Sequence, residues 1–349
     1  MYRKLLVLTM SVLTLSVVRV NAMSQPSDGT ISLIEEALAY GSQATISLGY
    51  IEDGQSTYYV YQDGQSVEEG PLYNYEVGSI TKTVTAAMVA RAVEEGKIQI
   101  DNRLNDYIPS LDQGLSYPTI QQLLTHQSGY PTLFDNDIII ENLRMDLNPY
   151  HGVSKDMLLE ESTSQIPEGE AHDFEYSNVN ASLLALVLEA VYGYSYAELV
   201  ADFISEDLAL TDTRLSNEEK DLMNQWEWSV DDAYAPAAAM ISNIADMLAY
   251  SQVQLDEGKP WVEESHRLLA KGNPSSSETR LSTDQLAYHW FYDEGNQLYW
   301  HDGGTGGYTS YIGFNLDQQK AVVVLSNVPM DQGIPASIIG SQMLTELLQ

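Results

Sequence analysis

Three short stretches carry residue types that together suit acyl transfer. The first, "GSITK", places Ser79 three residues before Lys82. Residues three apart share a helix face, so the lysine amine can reach the serine hydroxyl. Desolvation among the apolar neighbours in "TKTVTAAMVA" would lower the lysine pKa and make it a base for the serine. Of the eight lysines, only Lys82 has a serine at that offset. Gly78 allows close backbone approach, and a serine at a helix start has free N–H groups and the positive dipole end beside a developing oxyanion. Taken alone, an N-capping serine and a snorkelling lysine explain the stretch equally well.

The second stretch is Tyr176-Ser177-Asn178, in "HDFEYSNVN". A tyrosine hydroxyl can shuttle a proton if cations hold its pKa down, and the Asn178 amide can donate to a substrate carbonyl and contact Lys82. A buried tyrosine followed by an ordinary helix cap is the competing explanation. The third stretch, "WHDGGTGGYTSY", runs from Trp300 to Tyr311. Gly303, Gly304, Gly306 and Gly307, interrupted by Thr305, would weaken an ordinary strand, but they fit an edge against which a substrate backbone lies. His301 could bring a proton donor or a positive charge, and the N–H of Gly304 could pair with that of Ser79 as an oxyanion hole. A glycine-rich hairpin with a surface histidine is the plainer alternative.

The elements that must position these residues follow from periodicity. A short helix is expected over 31–40, then strands over 44–50 and 56–62 around the turn residues Glu52-Asp53-Gly54. The helix carrying Ser79 should run to Glu95 and stop at Gly96. From about Asp101 to Ile241 the chain reads as mostly helical. Thr119 caps a helix running to His126, and a buried helix over 180–192 stops at Gly193. Strands are expected at 289–292, 298–300, 308–314 and 321–325, with a last amphipathic helix over 334–348. Strands from both ends bracket a helical middle. The expected fold is therefore α+β, one antiparallel sheet built from both termini, flanked by helices and carrying a mostly helical insertion. A site is expected in the cleft between the two parts. The acidic stretch from Asn136 to Glu170 is expected to wall part of it.

Composition narrows the class. The chain has 349 residues, with 50 acidic against 16 basic side chains and a net charge of −34. That charge repels nucleic acid and anionic membranes. There is no cysteine, which excludes disulfides, thiolate metal sites and a cysteine nucleophile. The other histidines show no metal-ligand spacing with carboxylates, and no metal or cofactor is expected. His126, at a helix end in "LLTHQSG", reads as a structural cap for terminal carbonyls. Arg3 and Lys4, the apolar run 5–18 and Val20-Asn21-Ala22 read as a cleaved signal peptide over 1–22. That leaves 23–349 as one catalytic domain, with an α/β part at about 30–100 and 242–349 and a helical part at about 101–241. The mature protein would be periplasmic or secreted, with no further span.

In order and separation the three stretches resemble those of the serine β-lactamase and penicillin-binding peptidase superfamily, in its class C-like branch. "VEEGKIQIDNRLNDYIP", "TIQQLLTHQSGYP", "LALTDTRL" and "APAAAMISNIADMLAY" look like further landmarks of that branch, so the resemblance covers roughly 30–345. It implies Ser79 as acylated nucleophile, Lys82 as its base and Tyr176 as proton relay to the leaving group. Asn178 would hold the acyl chain. His301-Asp302-Gly303 falls where the lactamases have Lys-Thr-Gly, and the N–H groups of Ser79 and Gly304 would form the oxyanion hole. Asp302 and Gly304 stand where relatives that grip a carboxylate often carry hydroxyls, and Thr305 is the nearest hydroxyl. The resemblance thus implies a serine hydrolase of D-amino-acid peptides or amides, β-lactams or related esters, acting on a small-molecule or peptide substrate. A peptidase or carboxypeptidase-like activity is favoured. A β-lactamase or esterase of the same fold, or a penicillin-acylated sensor with little turnover, stays open.

Overall fold

The computed structural model describes residues 24–349 except 217–219, 230, 257 and 275–278, so the signal-peptide reading of 1–22 lies outside the described residues. Nine strands form one antiparallel sheet in the order β3-β2-β1-β12-β11-β10-β9-β8-β7. The N-terminal part supplies β1 (Thr45–Glu52), β2 (Gln55–Gln62) and β3 (Gln65–Glu68). The C-terminal part supplies β7 (Ala270–Lys271), β8 (Gln285–Leu286), β9 (Phe291–Asp293), β10 (Leu298–Gly304), β11 (Thr309–Asn315) and β12 (Lys320–Ser326). The two halves join where β1 pairs with β12, with Leu48 opposite Val324.

Alternation along the central strands explains the layers. Ile46 and Leu48 of β1 and Val322 and Val324 of β12 pack with α1 (Asp28–Leu38) and the C-terminal helix Ala336–Leu347. Ile51, Val323 and Leu325 face the opposite way, toward the helix Ile244–Leu255 and the helical middle. Both faces of the sheet are therefore covered, and β1 is buried along nearly its whole length rather than at alternate residues.

The helical middle holds Leu104–Tyr107, Ile120–Leu124, Asp137–Arg144, Lys155–Ser164, Asn178–Tyr192 and Tyr196–Asp202. Thr119 caps its helix through the Gln122 N–H, and Gln122 returns the bond, as a capping box. The helix of Asn178–Tyr192 ends at Gly193, as its sequence predicts. A small second sheet sits beside Ser79, in the order β4 (Tyr75–Glu76), β6 (Met240–Ser242), β5 (Arg214–Leu215).

At the centre lies α2 (Thr81–Glu94), buried along most of its length. Burial of Val84, Met88 and Val89 contributes about 1.5–3 kcal/mol for each side chain. The structure departs from expectation in three places near the site. Ser79 sits in a 3₁₀ turn, Gly78–Ile80, ahead of the α-helix rather than within it. The strand of 298–300 continues through the glycines to Gly304. The strand expected from His289 begins only at Phe291, because His289 has a left-handed backbone with φ 58.

Candidate active site

The turn that presents Ser79 is held from both sides. Val77 N–H donates to Met240 O of β6 at 2.9 Å, and Ser310 Oγ of β11 donates to Val77 O at 2.7 Å. The chain then bends through Gly78 at φ 50. A Cβ there would lie 2.6 Å from Gly304 N, and one at Gly303 would lie 2.1 Å from Val77 O and 2.9 Å from Ser79 N. Glycine at both positions lets the two backbones touch. The pairing of β9 with β10 ends at Trp300, so residues 301–304 keep only β11 as a strand partner.

Lys82 follows one turn into α2 and is fully buried. Its Nζ donates to Ser79 Oγ at 2.9 Å and to Ala237 O at 2.8 Å. Burial drives its pKa well below the ordinary lysine value, with the Asp302 carboxylate opposing. A neutral amine in that position could accept a proton from the serine through the same contact.

Tyr176 stands over the pair, with Lys82 Nζ 5.0 Å from its ring centre and Ser79 beside its hydroxyl. Burial raises the phenol pKa, with Ser79 opposing. This corrects the expectation of a phenol held down by cations: Lys82 is itself desolvated toward neutrality, so the phenol stays protonated. Asn178 opens its helix, but its side chain lies by the Tyr150 hydroxyl, and the hydrogen bonds of Lys82 run to Ser79 and Ala237 instead.

A cavity of about 740 Å³ opens over Ser79. Tyr176, Gly303, Gly304 and Thr305 line it, whereas Lys82, Asn178 and His301 lie behind its wall. Much of the remaining wall is aromatic or apolar, with Phe174, Trp226, Phe291, Trp300 and Met330, and Asn273, Thr279, Thr283 and Ser337 add neutral polar groups. Among the described residues Asp302 is the one charged side chain on it. The acidic stretch 136–170 contributes no residue to this wall among those described.

Two further expectations are corrected. His301 places no positive charge in the cleft. Its ring is fully buried and stacked on Phe291 at 4.8 Å, and burial pushes its pKa down to about 3, with Lys82 adding to the effect. Thr305 does not offer its hydroxyl hydrogen to a substrate, because Oγ1 donates to Glu76 at 2.7 Å. Glu76 also accepts from Trp226 N–H at 3.0 Å, so one buried carboxyl group ties together the Ser79 segment, the end of the glycine strand and the Trp226 loop. Sequence reading missed Glu76. Its one signal is a lone carboxylate in the strand "YEV", three residues before the serine.

Comparison with known proteins agrees with this geometry. The β-lactamase family model matches residues 31–333. The chain belongs to the β-lactamase family. Protein flp of Staphylococcus aureus strain MW2 is 24% identical over 328 residues, covering 85% of this chain and 62% of flp. The chain thus spans about three fifths of the length of that curated relative. The octameric penicillin-binding protein homologue from Pyrococcus abyssi superposes with a TM-score of 0.73 at 22% identity, over 92% of this chain and 77% of that one. A class C β-lactamase from Rhodobacter sphaeroides gives 0.70 at 21% identity, over 93% and 100%. At these identities the structural likeness establishes the β-lactamase/transpeptidase fold. Among the described residues no single helix is long and apolar enough to cross a membrane.

Proposed function

We propose that this family member is an exported serine hydrolase that forms an acyl-enzyme at Ser79 with neutral esters or amides bearing a bulky apolar or aromatic acyl group. The export reading rests on the basic and apolar pattern of residues 1–22. Ser79 Oγ attacks the substrate carbonyl as its proton passes to Lys82 Nζ. The N–H groups of Ser79 and Gly304, on touching backbones, stabilise the oxyanion. Tyr176, a neutral phenol beside Ser79, relays the proton to the departing alkoxide or amine as the C–O or C–N bond breaks. Water then attacks the ester by the reverse path and regenerates Ser79.

The observation that carries the substrate class is the charge of the wall. A carboxylate-bearing substrate is held best by a cation, and among the described residues this wall has none: such a substrate meets Asp302, with a neutral His301 behind the wall and a Thr305 whose hydrogen is given to Glu76. That argues against the carboxypeptidase-like activity favoured by sequence and against an efficient β-lactamase. The aromatic wall favours an apolar acyl group. The test compares kcat/KM for a neutral phenyl ester, a D-phenylalanine anilide and a penicillin. The ester or the anilide should exceed the penicillin at least tenfold. A penicillin turned over fastest would overturn the substrate class, and one that acylates stoichiometrically without turnover would favour the sensor.

A further inference from the structure

Three of the six histidines, His126, His289 and His301, lie together behind Tyr176, and none is more than 1% exposed. Burial lowers the pKa of all three, and proximity to Lys82 adds to it. His126 and His289 both hold left-handed backbone, at φ 54 and 58, which is uncommon outside glycine. The His126 and His289 ring centres are 4.6 Å apart, and the His126 ring lies 4.6 Å from that of Tyr176. The expected role of His126 as a cap for helix carbonyls is not what its ring does: its Nδ1 accepts from Ser177 N–H at 3.1 Å.

The partners fix each tautomer. Because His126 Nδ1 accepts, its proton is on Nε2, which faces His289 Nδ1 at 3.1 Å. His289 Nδ1 therefore accepts and its proton is on Nε2. At the other end, His301 Nδ1 lies 2.6 Å from the Asp302 carbonyl oxygen, which can only accept, so His301 carries its proton on Nδ1. Two nitrogens remain, the His289 Nε2–H donor and the His301 Nε2 acceptor. Both are buried, and neither has a hydrogen-bond partner. Their polarities are complementary, and a single buried water would accept from one and donate to the other. Burial keeps all three rings neutral, since each pKa lies below the ordinary imidazole value. The cluster is not a metal site: among the described residues no group of three or more His, Asp or Glu could hold an ion.

We propose that His126, His289 and His301, with one water bridging His289 Nε2 and His301 Nε2, form one directional hydrogen-bonded chain, from Ser177 N–H to the Asp302 carbonyl, that fixes the Tyr176–Asn178 turn against the glycine strand. The three are positioning residues for the acyl transfer proposed above, and their catalytic effect rests on that reading. Besides the rings themselves, Lys82 from α2, Tyr176 from the loop and Asp302 from β10 are the titratable groups that face the chain.

Imidazole ¹⁵N NMR of the full chain, with single-histidine variants for assignment, reads the tautomers directly and needs no substrate. From pH 5.5 to 9, His126 and His289 should be Nε2–H and His301 Nδ1–H, all neutral. A cationic ring among the three, or any opposite tautomer, overturns the chain. His289→Asn tests the link to His301, because asparagine tolerates the left-handed backbone and its amide oxygen can still accept from His126, but it is too short to reach further. It should fold, keep His126 as Nε2–H, shift the His301 resonances and lower kcat roughly tenfold with KM unchanged, as expected of a small misplacement at the reacting groups. Unchanged His301 resonances and kcat would overturn the positioning role. If the wild type shows no turnover, the proposed function fails while the tautomers still decide the chain.

Discussion

Glu76 shows how one residue can join catalysis to stability. It is 2% exposed and accepts from Thr305 and Trp226, yet burial outweighs both bonds and raises its pKa from 4.5 to about 7. The folded state therefore binds more protons at this carboxyl than the unfolded state between those values. Its stabilising contribution is fully present below about 4.5 and is lost as pH rises through about 7. By the shift, the loss is roughly 3 kcal/mol at most. In Glu76→Gln the amide oxygen still accepts from Trp226, and the amide nitrogen donates to a rotated Thr305 hydroxyl. Urea unfolding at pH 5 and pH 8 should show wild type losing stability relative to Glu76→Gln as pH rises. A difference that does not vary with pH would mean that Glu76 is ionised throughout.

At the scale of elements, the proposed oxyanion site depends on β10 lying against the 3₁₀ turn of Ser79. Gly303→Ala puts a methyl carbon 2.1 Å from Val77 O, and backbone on both sides leaves nothing flexible to yield. The strand must shift, so Gly304 N–H no longer aligns with Ser79 N–H. The expected result is a folded protein with kcat lowered roughly a hundred- to a thousandfold. Circular dichroism and ester turnover on one sample check it, and full activity would remove Gly304 from the proposed oxyanion hole. The sequence announced this element only in part. The glycine run, the helix ending near Gly96 and the stop at Gly193 were legible because each is a local signal. The extension of β10 to Gly304 and the left-handed turn at His289 were not. They are imposed by contacts across the chain, such as Val77 with Ser310 and His126 with His289, which leave no trace in neighbouring residues.

For the whole molecule, the fold class was legible because apolar runs at both ends needed a common sheet, and β1 does pair with β12. The substrate wall was not legible. Phe174, Trp226 and Met330 come from three distant segments, and no periodicity joins them. The net charge of −34 and Asp302 point the same way, toward weak engagement of anionic substrates. The central claim is that Ser79 carries the acyl group. The most direct test is the intact mass of the protein quenched during turnover of a neutral aryl ester, beside Ser79→Ala. One acyl equivalent that maps to Ser79 and is missing from the folded variant is the predicted result. The same adduct on Ser79→Ala, or on any other residue of the wild type, would contradict it.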